Sequence, residues 1–179
     1  MRDSGFFRQR LHLLMTGYGY NLYDSVNRAR ADDLLVRQRA CASLGDAAGH
    51  LREVAGDFTR RFIPPASRDQ PFPPADRMEQ LRDLDRLREE VEVPGSHIRG
   101  MSAPTEDRTW ARFRDEATAL EHLLGCDYEL ISQSRGIADR AAALTAETWS
   151  LETAAELRSL LATLRAAARD RERYLTTPF

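Results

Sequence analysis

Lysine is absent from this 179-residue chain: all twenty-six of its basic side chains are arginine. That absence excludes an internal Schiff base, a pyridoxal-phosphate linkage, a phosphate-loop lysine and any internal lysine acceptor for acyl or ubiquitin-like groups. A GC-rich genome, which turns Lys codons into Arg codons, is the simplest origin of the bias. Cysteine is scarce as well. Cys41 and Cys126 stand far apart, in no paired-ligand spacing, and each falls in a helical pattern, so both read as reduced, buried thiols of a cytoplasmic protein. No apolar run reaches the length of a membrane span, so integral membrane association is not expected. Near the start, Phe6, Phe7 and the Leu11–Met15 stretch are interrupted by Arg8, Arg10 and His12, which leaves no signal-peptide apolar region. Nor is there an excess of positive charge. The formal net charge is −2, with arginine and acids interspersed, and a general nucleic-acid binder would carry a basic surplus.

What is present is helical periodicity. With 42% apolar and 30% charged residues, the composition is that of a globular or coiled-coil-like chain long enough to bury a core. Phe7, Leu11 and Leu14 predict a short amphipathic helix over 5–16. Gly17-Tyr18-Gly19-Tyr20-Asn21 breaks it. A long helix over 22–62 follows, with Val26, Val36, Ala40, Leu44, Leu51 and Phe58 along one face, while Gly45 and Gly49 weaken its middle. Residues 63–74 hold five prolines and read as a linker, with Pro74 opening the next helix. That helix is expected over 75–92, ending before Val93-Pro94-Gly95. A further long helix is expected over 105–146, with Gly136 as a point of kinking or division, and a last one over 151–174 behind a Ser150 cap. No alternation of period two stands out. The expectation is an all-α single domain over 1–179: an elongated antiparallel bundle of four to five helices, with the proline-rich connection between the second and third.

Three constellations carry chemistry worth following. Asp24, Arg28 and Asp32 recur at i, i+4, i+8, beside Arg30, Asp33 and Arg37 at i, i+3, i+7. Most of these form a ladder of weak helix-surface ion pairs, but Asp33 falls on the apolar stripe between Ala29 and Val36. A buried carboxylate needs cationic partners, which makes this set a candidate polar site. The surrounding stretch Leu22–Asp33 resembles, over a dozen residues, the first aspartate motif of squalene and phytoene synthases. In that family paired acids hold magnesium-bound diphosphate. Here Leu34, Leu35, Val36 and Arg37 follow the acid pair, and there is no second aspartate motif, so the resemblance implies no assignment. His122, Cys126 and Glu129 share a helix face and are the candidate metal ligands, although the Glu-x-x-His spacing of two-metal bundles is missing. No serine-elbow, reactive-cysteine or glycine-rich phosphate motif is present.

The third constellation is a recognition surface. Tyr18, Tyr20 and Tyr23 cluster at the first turn, and Phe72 and Arg68 lie in the proline segment. Aromatic and arginine side chains are what interface hot spots use. These features point to a non-enzymatic helical interaction protein, an adaptor, assembly chaperone or accessory subunit, that binds a protein partner, self-associates and takes no cofactor. The alternative is a small-molecule- or metal-binding bundle, with enzymatic activity open to it, built on the Asp/Arg cluster of the second helix. A third is attachment of residues 5–16 to a membrane surface.

Overall fold

A computed structural model describes residues 26–68, 71–101 and 116–176, with side chains described over 33–68, 71–101 and 122–175. Helix α1 spans Val26–Phe62, α2 Ala75–Gly100, α3 Glu116–Ala142 and α4 Leu151–Thr176, and no strand occurs among the described residues. The expected all-α class therefore holds. The helix expected over 5–16 lies outside the described residues, and 63–68 and 71–74 carry neither helix nor strand.

Each helix buries one stripe. On α1 it runs through Val36, Ala40, Leu44, Ala47, Leu51, Val54 and Phe58. On α2 it is Leu84, Leu87, Val91 and Ile98; on α3 Leu130, Ile131, Ile137 and Ala141; on α4 Ala154, Leu157, Leu161, Leu164 and Ala168. Steps of three and four keep these residues on one helix face, and the four stripes meet in a single cluster. Each fully buried leucine contributes on the order of 1.5–3 kcal/mol, far more than helix propensity supplies.

Side-chain contacts fix the helix directions. Arg37, near the start of α1, reaches the Met101 carbonyl just past the end of α2, and Arg77 at the start of α2 lies 5.1 Å from the Phe62 ring at the end of α1. These two helices are antiparallel. Asp83 and Glu90 of α2 meet Arg158 of α4, while His97 meets Glu172, so α2 and α4 run parallel. Close packing joins α1 to both α2 and α3, and α4 to both α3 and α2. The four helices form a bundle with α1 and α4 on a diagonal.

Two helix ends differ from the sequence expectation. The second described helix does not stop at residue 92: it continues through Pro94 to Gly100. Proline has no N–H to give the carbonyl four residues earlier, which here belongs to Glu90. Arg165 Nη2 of α4 donates to that carbonyl at 3.1 Å, so a neighbouring guanidinium replaces the missing amide. Gly95 meanwhile brings α2 close to α1: a Cβ there would lie 3.8 Å from Leu44, and Cys41 Sγ donates to the Gly95 carbonyl at 3.2 Å. The third described helix ends at Ala142, not 146. Thr145 and Thr148 exchange backbone-to-hydroxyl hydrogen bonds, and the turn they make lets Leu144, Ala146 and Trp149 close the core. Helix α3 runs undivided through Gly136, and α1 is unbroken through Gly45 and Gly49. Pro74 is the residue before the first helical residue of α2; its carbonyl accepts from Met78 N at 3.1 Å. Ser150 caps α4: its hydroxyl accepts from Thr153 N at 3.2 Å.

Candidate functional site

The interior holds a charged layer at the end of the bundle where α1 begins and α4 ends. Arg171 is 1% exposed, and its guanidinium sits between two carboxylates. Nε donates to Asp127 Oδ1 of α3 at 2.8 Å, and Nη2 pairs with Asp33 Oδ1 of α1. Arg37 lies on the other side of Asp33, with Nη2 2.7 Å from Oδ2, and its Nη1 donates to the Met101 carbonyl at 2.6 Å. Two arginines and two aspartates from α1, α3 and α4 thus cancel in charge, and the Met101 carbonyl just past the end of α2 joins them.

Satisfaction within the layer is incomplete. The Arg37–Asp33 Oδ2 contact is short but misaligned for a hydrogen bond, and Arg37 Nε and Arg171 Nη1 have no acceptor among the described residues. Burial pushes the Asp127 carboxyl above the usual aspartate range; the Asp33 charge adds to this, against the pull of Arg171 and Arg37. Burial alone would make Arg171 easier to deprotonate. The Asp127 and Asp33 charges and their hydrogen bonds outweigh it and hold the guanidinium above its ordinary value.

All three buried members continue their helices' apolar stripes. Asp33 precedes Val36 by three residues, Asp127 lies three after Leu124 and four before Ile131, and Arg171 follows Leu164 and Ala168 at i+7 and i+3. Of the sequence-selected polar set, Asp33 and Arg37 meet in this layer. Arg28, Arg30 and Asp32 belong to α1, but their side chains lie outside the described residues, as Asp24 does altogether. Arg171 and Asp127 were missed by sequence reasoning, although each interrupts an apolar stripe in the same way as Asp33.

The remaining candidates are dispersed. Tyr18, Tyr20 and Tyr23 lie outside the described residues. Arg68 is exposed, and Phe72 is 80% exposed, the most exposed large apolar side chain among the described residues. It stands between Pro71 and Pro73, and Pro74 has φ −57° and ψ 127°, an extended polyproline-like conformation. His122 and Glu129 are exposed, Cys126 is half-buried, and the His122 ring packs against Tyr174 with centroids 4.0 Å apart. Burial, with Asp127 nearby, pushes the Cys126 thiol up to about 11, away from the thiolate a metal requires. Among the described residues no three His, Cys, Asp or Glu side chains converge as metal ligands, and no helix is long and apolar enough to cross a membrane.

Among the described residues, fold and site together define a bundle of four helices with a charged interior layer at one end and an exposed aromatic in a proline segment. Comparison with protein-family models, curated proteins and solved structures finds no match for the chain.

Proposed function

We propose that the chain is a non-enzymatic helical interaction protein, an adaptor, assembly chaperone or accessory subunit, that presents its proline segment to a protein partner. Phe72 carries this reading. An aromatic ring 80% exposed to water, flanked by prolines, is a ready anchor. Proline presets the local backbone, so little conformational freedom remains to be lost on docking. Arg68 adds a planar cation on the same segment. The near-neutral, interspersed charge suits a protein partner better than a polyanion. Self-association and a cytoplasmic setting belong to the same proposal.

The test is a pair of substitutions, Tyr20→Ala with Phe72→Ala, in the full chain. The proposal predicts an unchanged thermal transition and loss of partner capture. Undiminished capture by the folded double variant would overturn it. A second reading, a small-molecule- or metal-binding bundle, draws support from the convergence of Asp33 and Arg37 in the interior. The pairing of both with other protein groups there favours a structural role for the layer.

A further inference from the structure

On the outer side of the α1–α2 seam lies a cleft of about 310 Å³, lined by Leu34, Arg37, Gln38, Cys41 and Ala42 of α1 and Arg99 of α2. Its α1 residues follow one face of the helix: Leu34, Gln38, Cys41 and Ala42 recur at i, i+4, i+7 and i+8. The two small residues make the depression, and Leu34, 51% exposed, forms an apolar wall.

The polar groups around it differ in what they have left to offer. Arg37 Nη2 and Nη1 are committed to Asp33 and to the Met101 carbonyl, and its unpaired Nε is buried, so Arg37 contributes its aliphatic stem. Arg99 is exposed, and its guanidinium has no ion-pair partner among the described residues. Gln38 is exposed beside it, with amide hydrogens to donate. The volume is at the lower end of that of small-molecule sites. An apolar wall and floor, with a planar cation at the edge that has no ion-pair partner among the described residues, suits a carboxylate on a compact apolar body. The guanidinium fork receives the two oxygens, and the body covers Leu34, Cys41 and Ala42.

We infer that this cleft is a binding site for a small amphiphilic carboxylate. The site is separate from the Phe72 segment, so its failure leaves the interaction reading standing, and the reverse is also true.

Cys41 provides the readout, because a ligand seated in the cleft shields its sulfur. Cys126 lies outside the cleft, and burial pushes its thiol up to about 11, so it is expected to react more slowly and serves as the reference within the same molecule. The full-length protein is treated with iodoacetamide over a range of octanoate concentrations, and modification is followed by mass spectrometry of the cysteine peptides. Saturable protection of Cys41, with Cys126 unaffected, is expected. In Arg99→Glu the octanoate concentration for half-protection rises at least about fivefold, the loss of one exposed ion pair worth about 1 kcal/mol. Octylamine, with the same tail and the opposite charge, protects poorly. The inference fails if octanoate leaves Cys41 alkylation unchanged. It also fails if octylamine and octanoate protect alike, or if Arg99→Glu behaves as the parent does, since protection would then be apolar and unspecific. A second variant, Arg99→Gln, stays polar and helix-compatible without the charge, and separates loss of charge from the charge reversal of Arg99→Glu at the last turn of α2; half-protection as in the parent would also overturn the inference.

Discussion

Replacing Arg171 by methionine removes the one cation that both Asp33 and Asp127 share. Methionine has the length and flexibility to fill the space, so the change tests charge more than volume. Asp33 keeps Arg37 as a partner at 2.7 Å, but Asp127 loses its 2.8 Å hydrogen bond and its nearest positive charge while remaining buried. Stranding one member of a buried ionic network costs about 3–5 kcal/mol. A domain has only about 5–15 kcal/mol in total, so about a fifth or more of the stability is at stake. For a chain of this size each kcal/mol moves the midpoint by about 2–4 °C, which gives a drop of about 6–20 °C in Tm. Far-UV circular dichroism in a thermal ramp, with urea titration alongside, measures it. The deficit should shrink toward about pH 5, because a stranded buried carboxyl takes up a proton more readily than one in the unfolded chain. Combining Arg171→Met with Asp127→Leu should recover most of the loss, since the uncompensated charge is then gone. A single variant within about 1 °C of the parent would refute the reasoning, as would a double variant less stable than the single.

Other consequences are equally open to measurement. Arg165→Met should cost about 1.5 kcal/mol by urea denaturation, the value of a hydrogen bond from a charged donor. In a Pro94→Ala background the alanine amide can serve the Glu90 carbonyl, so the same change should cost at least about 0.5 kcal/mol less; strict additivity would remove the account of how α2 passes Pro94. Asp127 has a raised pKa in the folded protein, so the folded state binds the extra proton and this group's contribution to stability falls as pH rises through the window above the ordinary aspartate range. Relative to Asp127→Asn, the parent should therefore gain stability on acidification from pH 7 into that window, and a relative loss in paired urea titrations would contradict the sign. Gly45→Ala should stabilise by about 0.5–1 kcal/mol, because no atom lies within 4 Å of where the new Cβ would sit in α1. Destabilisation in a thermal ramp would show that this glycine has a role in packing or binding.

The helical class and the buried stripes were legible because leucine and alanine spacing is a property of each helix by itself. Ser150 was legible as a cap for the same reason. Pro94 was not, because its tolerance depends on Arg165, seventy-one positions later in the sequence, reaching across from another helix. The end of α3 was misplaced because Thr145 and Thr148 satisfy each other locally, and Ala143 to Thr148 otherwise have acceptable helix-forming composition. In the charged layer, Asp33 was conspicuous among flanking hydrophobes with Arg37 four residues on. Asp127 and Arg171 interrupt their stripes just as plainly, but a lone polar residue in a stripe gives no clue to which distant residue answers it. The pairing belongs to the tertiary fold. Phe72 stood out in the sequence as an aromatic among prolines; its exposure required the structure.

Native mass spectrometry of the untagged protein, purified gently from its own host without chelator, tests the central proposal most directly when run on the parent and on Phe72→Ala side by side. The proposal predicts a discrete protein partner on the parent that is absent from the folded variant. A small-molecule or metal mass retained equally by both, with no protein partner on either, would contradict it and return attention to the arginine–aspartate layer.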